Sequence, residues 1–281
     1  MKIAKTVQEM RAATLAAQVA GKSLGLVPTM GALHSGHLSL VRAAKAACDT
    51  VVVSIFVNPL QFGPQEDLAK YPRDFEGDCR RLEAEGVDCL FAPSVEEMYP
   101  ETPVTYVEVE GLSQRLCGGS RPGHLRGVAT VVAKLFHIVE ADRAFFGQKD
   151  AAQVAVLRRM VRDLNFPVEI VVCPIVRETD GLAMSSRNAY LNPEERKSAL
   201  QLYRSLNEVK RRFEQGERNP SNLAEAGQRV LAQDPAVRLD YFSIVDPDTL
   251  RPVSKMTGKT LVAVAAFVGS TRLIDNILLV A

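Results

Sequence analysis

The run PTMGALHSGHLSL, Pro28 to Leu40, holds two histidines three residues apart, His34 and His37. It follows a short apolar stretch, Ser23 to Pro28, that reads as a strand. It leads into Leu38 to Cys48, whose apolar spacing predicts a helix. A spacing of three sets both imidazoles near one face of that helix start. A helix start offers unpaired N–H groups and a partial positive charge. Gly31 and Gly36 permit close approach of a ligand. This combination suits phosphate groups; the bland alternative is a pair of structural or exposed histidines.

Two further clusters offer compatible chemistry. In FFGQKDAAQ, Phe145 to Gln153, Lys149 can pair with a phosphate as a point charge. Asp150 can accept from ribose hydroxyls, and Gln153 can face the same cleft one turn later. The alternative is an ordinary helix cap with Asp150 as the capping residue. In RETDGLAMSSRNAYLNP, Arg177 to Pro193, Ser185, Ser186 and Arg187 bring hydroxyls, backbone amides and a guanidinium able to close over a triphosphate. An interdomain linker would look similar. The chain lacks G-x-x-x-x-G-K-[ST], and its first strand–helix junction lacks G-x-G-x-x-G.

The elements that must hold these residues alternate. Helical spacing covers Thr6–Ala20, Arg73–Glu85, Gly127–Glu140 and Ala151–Leu164. Strand-like runs cover Thr50–Val57, Val87–Ala92, Arg143–Phe146 and Val168–Val172. Thr50–Val57 is a continuous β-branched run, as in a parallel strand covered on both faces. Alternation of this kind predicts an α/β fold with a Rossmann-like parallel sheet. Beyond residue 177 the order changes. Two helices, Pro193–Gln215 and Asn219–Gln233, precede strand-like runs at Arg238–Val245, Thr260–Val268 and Thr271–Val280. The expectation is a first domain over 1–177 and a smaller α+β lid domain over 178–281. Two long loops, 58–72 and 116–127, are candidates for functional segments.

The bulk numbers bound the function. The 281 residues are 47% hydrophobic and carry a formal net charge of +1, which supplies no basic excess for following a nucleic-acid backbone. The five cysteines are odd in number and form no C-x-x-C pair, which points to free thiols in a reducing compartment. No secretory h-region opens the chain, and no apolar run approaches the ~20 residues of a bilayer span. A cytoplasmic, membrane-free protein is expected.

The stretches VPTMGALHSGHLSLVRAA, VSIFVNPLQFGPQEDLAKYPRD, SRPGHLRGVATVVAKLF, FGQKDAAQ and GLAMSSRNAYL together resemble the pantothenate synthetase family of H-x-G-H nucleotidyltransferase-like proteins. Met184-Ser185-Ser186-Arg187 is similar to the mobile K-M-S-K-S loop of class I aminoacyl-tRNA synthetases. In place of that loop's first lysine, Lys149 and Arg187 share the cationic role. The resemblance implies an ATP-dependent ligase that makes pantoyl-adenylate and then joins it to β-alanine. It implies an ATP site formed by Met30, Gly31, Ala32, Leu33, His34, Ser35, Gly36 and His37, with Gly147, Gln148, Lys149 and Asp150 at ribose and phosphate. Val176 meets adenine through its backbone, and Met184, Ser185, Ser186 and Arg187 close over it. His34, His37, Lys149, Ser185, Ser186 and Arg187 form the catalytic set, with His37 the candidate proton donor. Gln61 and Gln153 bind pantoate; His124 and Arg126 lie near the second substrate. Mg²⁺ is expected on the phosphates and water, with no protein metal ligand, and the family resemblance implies a homodimer. A nucleotidyltransferase releasing a stable nucleotide conjugate is the enzymatic alternative. A nucleotide-binding regulatory module without turnover is the non-enzymatic one.

Overall fold

Lys2–Ala4 (β1) is too short for a periodic signal, and it pairs in parallel with a strand formed much later. This computed structural model describes residues 1–64 and 66–281. Helix Val7–Val19 (α1) follows, capped by Thr6 and Glu9, each bonding the other's backbone N–H. Strand Leu24–Thr29 (β2), helix Ser35–Ala47 (α2) and strand Thr50–Ile55 (β3) form the first crossover unit. Helix Phe75–Ala84 (α3), strand Cys89–Phe91 (β4) and a helical turn, Val95–Met98 (α4), complete the first half.

The second half begins with a turn at Cys117–Ser120 (α5) and helix His124–Val139 (α6). Strand Arg143–Gly147 (β5), helix Ala151–Asp163 (α7) and strand Glu169–Cys173 (β6) follow. The six strands form one parallel sheet in the order β1-β4-β3-β2-β5-β6. Its core lies on two faces because β2 and β3 point alternate residues each way. Leu24, Leu26 and Val52 join α6 and α7 on one side. Val27, Val51 and Val53 join Leu40 and Val41 of α2 and Leu82 of α3 on the other.

Helices Pro193–Glu214 (α8) and Pro220–Leu231 (α9) then cover a three-stranded antiparallel sheet of Val237–Val245 (β7), Lys259–Val268 (β8) and Thr271–Val280 (β9). The unbroken apolar run of β8 has a clear reason: both of its faces are covered. Val262, Val264 and Ala266 pack against α8 and α9. Leu261 and Ala263 enter the same cluster as α6 and α7. The architecture is a Rossmann-like α/β domain with a smaller antiparallel sheet attached to it. Among the described residues, no helix is long and apolar enough to cross a membrane.

Candidate active site

Between β2 and β5 the strand order reverses, with β3 and β4 on one side and β6 on the other. The carboxyl ends of strands at such a switch point form a ligand crevice. Here β2 delivers Thr29–His37 and β5 delivers Gly147–Asp150 to it.

The segment after β2 is held tightly. Gly31 turns with φ of 80° and Ala32 follows at 50°, a left-handed backbone that costs a residue with a Cβ. The cost is met by Asp78 on α3, only 1% exposed, whose carboxylate oxygens accept from Ala32 N and Leu33 N at 2.8 Å each. Burial pushes the Asp78 carboxyl up from its usual range, while these two amides and Arg81 pull it back. No sequence motif marked Asp78.

Helix α2 starts at Ser35, three residues earlier than the apolar spacing suggested, because the two imidazoles cap it. His34 Nδ1 accepts from Gly36 N at 3.1 Å, and His37 Nδ1 accepts from His34 N at 3.3 Å. The ring centroids lie 4.0 Å apart. With both Nδ1 atoms acting as acceptors, each neutral ring keeps its proton on Nε2. Burial, reinforced by the charge of Lys149, lowers His34 to about 4. Burial, then His34 and Lys149, hold His37 well below its usual value. Both rings are therefore neutral N–H donors at neutral pH.

Lys149 sits in a 3-10 turn, Gln148–Asp150, after Gly147 ends β5. Burial lowers its ammonium from the ordinary lysine value, opposed by Asp150 and Asp275. Asp150 occupies the cap position of α7, yet its carboxylate makes no capping bond among the described residues, unlike the ordinary-cap reading. The Met184–Arg187 segment lies against the start of α2. Ser186 Oγ donates to Ala32 O at 3.2 Å, and Ser185 Oγ accepts from Arg187 N at 3.3 Å. Met184 N donates to Val176 O at 3.0 Å, and a Cβ on Gly36 would sit 3.6 Å from the Met184 side chain. Arg187 meets Asp67 of loop 58–72 through two bonds of 2.9 and 2.8 Å. Residue 65 of that loop lies outside the described residues.

A cleft of about 170 Å³ opens here, lined among others by Met30, His37, Gln61, Asp150, Gln153 and Arg187. Two smaller hollows of about 60 and 40 Å³ adjoin it, sharing Arg121 and Asp150 with it and Lys149 with each other. Gln61 is positioned by Asn58, which is buried. Asn58 Nδ2 donates to Gln61 Oε1 and to Gly127 O, both at 3.1 Å, and Tyr99 Oη donates to Asn58 Oδ1 at 2.9 Å. Residue 127 must be glycine, since a Cβ there would lie 2.1 Å from Leu60 O. Asn58 was marked only as the first residue of the candidate loop 58–72, with no role assigned to its side chain.

Of the two looser candidates, the structure brings one to the cleft. His124 begins α6, places Nδ1 2.8 Å from Gln61 O and faces Arg121 at 3.0 Å. Burial first, then Arg121, lowers it to about 4. Arg126, two residues on, is exposed and lies over the Tyr106 ring at 4.7 Å, outside the cleft lining. The expectation for Arg126 is corrected on that ground: helix α6 starts at His124, so residue 126 turns away from residue 124. Arg121, which pairs with Glu66 at 2.7 Å, lines the cleft.

Known proteins match this chain in sequence and in fold. The family model for pantoate-beta-alanine ligase matches residues 2–278. A pantothenate synthetase of Koribacter versatilis is 60% identical over 99% of this chain and 96% of its own length. One of Thermotoga neapolitana is 60% identical over 99% and 100%. The crystal structure of pantothenate synthetase from Thermus thermophilus superposes with a TM-score of 0.94 at 51% identity, covering 99% of both chains. A Francisella tularensis pantoate-beta-alanine ligase, solved with β,γ-ATP and β-alanine, gives 0.82 at 32% identity, with 99% and 97% covered. With near-complete coverage, and with the H-x-G-H junction at the switch point of the sheet, the chain belongs to the pantoate–β-alanine ligase family.

Proposed function

We propose that this cleft performs the family's reaction, the ATP-driven joining of pantoate to β-alanine, in two steps. A pantoate carboxylate oxygen attacks the α-phosphorus of ATP, the Pα–O bond to the β-phosphate breaks, and pyrophosphate leaves. The amine of β-alanine then attacks the acyl carbon of pantoyl-adenylate. The C–O bond to AMP breaks, and the amine proton passes to solvent. Both steps need chiefly position and charge stabilisation. One observation carries the reading: His37, Arg187 and both glutamines border one cleft, and Lys149 borders the two hollows that adjoin it, one of which Ser185 also lines.

The roles follow from the chemistry of each group. Met30 to His37 take the triphosphate, with the Nε2–H groups of His34 and His37 as donors. Bound triphosphate raises the affinity of His37 for a proton, which suits it to protonate the leaving pyrophosphate. Lys149 and Arg187 supply positive charge, and Arg187 exchanges Asp67 for phosphate oxygens. Gly147 to Asp150 hold ribose and phosphate, and Val176 meets adenine through its backbone. Gln61 and Gln153 recognise the carboxylate and hydroxyls of pantoate. Arg121 and His124 face the place left for β-alanine. Mg²⁺ would ride on the phosphates and water; no cluster of three or more metal-ligating side chains exists among the described residues. Its contribution when bound is to neutralise phosphate charge.

Three coarser expectations complete the reading. Residues 178–281 act as a lid domain on 1–177. The chain works as a homodimer, as the resemblance to the family implies. It acts in the cytoplasm, consistent with five free cysteines. The reaction is tested by ATP–pyrophosphate exchange with pantoate alone, followed by product analysis with β-alanine. Pantoate-dependent exchange and release of AMP are expected. A stable nucleotide conjugate as end product would favour the rival transferase, and tight ATP binding with no exchange the regulatory module.

A further inference from the structure

The last strand carries two adjacent buried polar residues, Asp275 and Asn276, 3% and 2% exposed. Neighbours in a strand point to opposite faces, so burying both requires partners on each face. Each partner belongs to a segment of the nucleotide site. Asn276 Nδ2 donates to the carbonyls of Gln148 and Lys149 at 3.0 and 2.9 Å. Asn276 Oδ1 accepts from Gln148 Nε2 at 3.0 Å. Both donors of the amide are thus spent on the turn that presents Lys149. On the other side, Asp275 accepts from Arg177 at 2.6 and 2.9 Å. Arg177 in turn donates to Gly181 O at 3.1 Å and stacks 4.1 Å from the Tyr203 ring. That ties down the base of the segment ending in Ser185-Ser186-Arg187.

We propose that Asn276 and Asp275 are positioning residues for ATP. Asn276 fixes the backbone of the lysine turn, and Asp275 fixes the root of the flap. Strand β9 thereby sets the distance between the two cationic groups that grip the phosphates. The inference rests on the reading of the site given above. It explains why the turn at Gln148–Asp150, which lacks a side-chain cap of its own, keeps a defined shape. The carbonyls at 148 and 149 face donors from β9 and leave the lysine side chain to the hollows beside the cleft.

The experiment compares Asn276→Ala and Asn276→Asp with wild type by calorimetric ATP binding and by pantoate-dependent exchange. Both variants should raise the Kd and KM for ATP about 10-fold, the sum of two ordinary hydrogen bonds, and leave KM for pantoate within about twofold. Asn276→Asp keeps the volume but has no donor, so it should be at least as impaired as Asn276→Ala. Asn276→Gln, which keeps the amide on a longer side chain, should move the same constants by less than Asn276→Ala, and Gln148→Ala, which removes the third bond together with any contact of its own to the nucleotide, covers the case in which the Asn276 variants do not fold. Val264→Ala, on the α8–α9 face of the sheet, should lower Tm with no change in ATP affinity. An Asn276 or Gln148 variant that loses Tm but binds ATP as wild type does would reduce the contact to a structural one and overturn the proposal. Absence of exchange in wild type would count against the reaction, while the ATP Kd values would still decide the positioning role.

Discussion

Residues 29–37 line the cleft and residues 271–280 border the hollows beside it, and the two segments obtain their geometry in different ways. In the first, His34 and His37 cap their own helix through bonds spanning two and three residues. In the second, Asn276 and Asp275 reach partners 127, 128 and 98 residues away. The first segment brings two imidazoles, and Asn276 and Asp275 bring amide and carboxylate contacts to backbone carbonyls, a glutamine and an arginine. The imidazole pair is set by contacts within its own turn, whereas the lysine turn and residue 177 are tied to a strand near the far end of the chain.

The largest test of that contrast is His37→Ala. It should lower the rate of adenylate formation about 100-fold or more, read by pyrophosphate exchange at saturating ATP and pantoate. A kcat loss of that size in Asn276→Ala would erase the distinction between a reacting and a supporting segment. Next, Asp78→Ala removes the acceptor that holds Ala32 in its left-handed turn. We expect about 2 kcal/mol of lost stability by urea unfolding, and a neutral result would mean that the first segment needs no distant help. Gln153→Ala should weaken pantoate about 10-fold and ATP by less than twofold. Equal weakening of both would place Gln153 with the nucleotide rather than the acid.

The smallest effect is with pH. His34 and His124 are held at about 4, below an ordinary value of 6.5. Between those values the unfolded chain binds more protons than the folded one, so stability is full above pH 6.5 and declines as pH falls towards 4. From pH 6.5 to 5.5 the loss should be about 1 kcal/mol per group. Thermal unfolding of His124→Asn should show a shallower slope over this window, and an unchanged slope would mean that the imidazole is not buried neutral.

How far the sequence reaches follows from the range of the forces involved. The 3.6-residue spacing and the β-branched runs revealed the alternation of helices and strands, because burial on one or two faces acts on neighbours in the chain. The H-S-G-H run, Lys149 and the Ser-Ser-Arg run could be picked out because each is a concentration of phosphate-binding chemistry at one junction. Strand β1 was too short to carry a pattern. Asp78 and the Asp275–Asn276 pair were silent, and Asn58 and Arg121 were marked only by lying in the two long loops, since a polar side chain looks like any solvent-facing group until its partner is known.

Residue types, their local spacing and the helix caps they form were determined by the sequence alone, since these depend on interactions within a few positions. The order β1-β4-β3-β2-β5-β6, the outward turn of Arg126, the pairing of Arg187 with Asp67 and the grip of β9 on the lysine turn were decided only in three dimensions. Those contacts join residues far apart in sequence, and hydrogen bonds and burial depend on distance in space rather than along the chain.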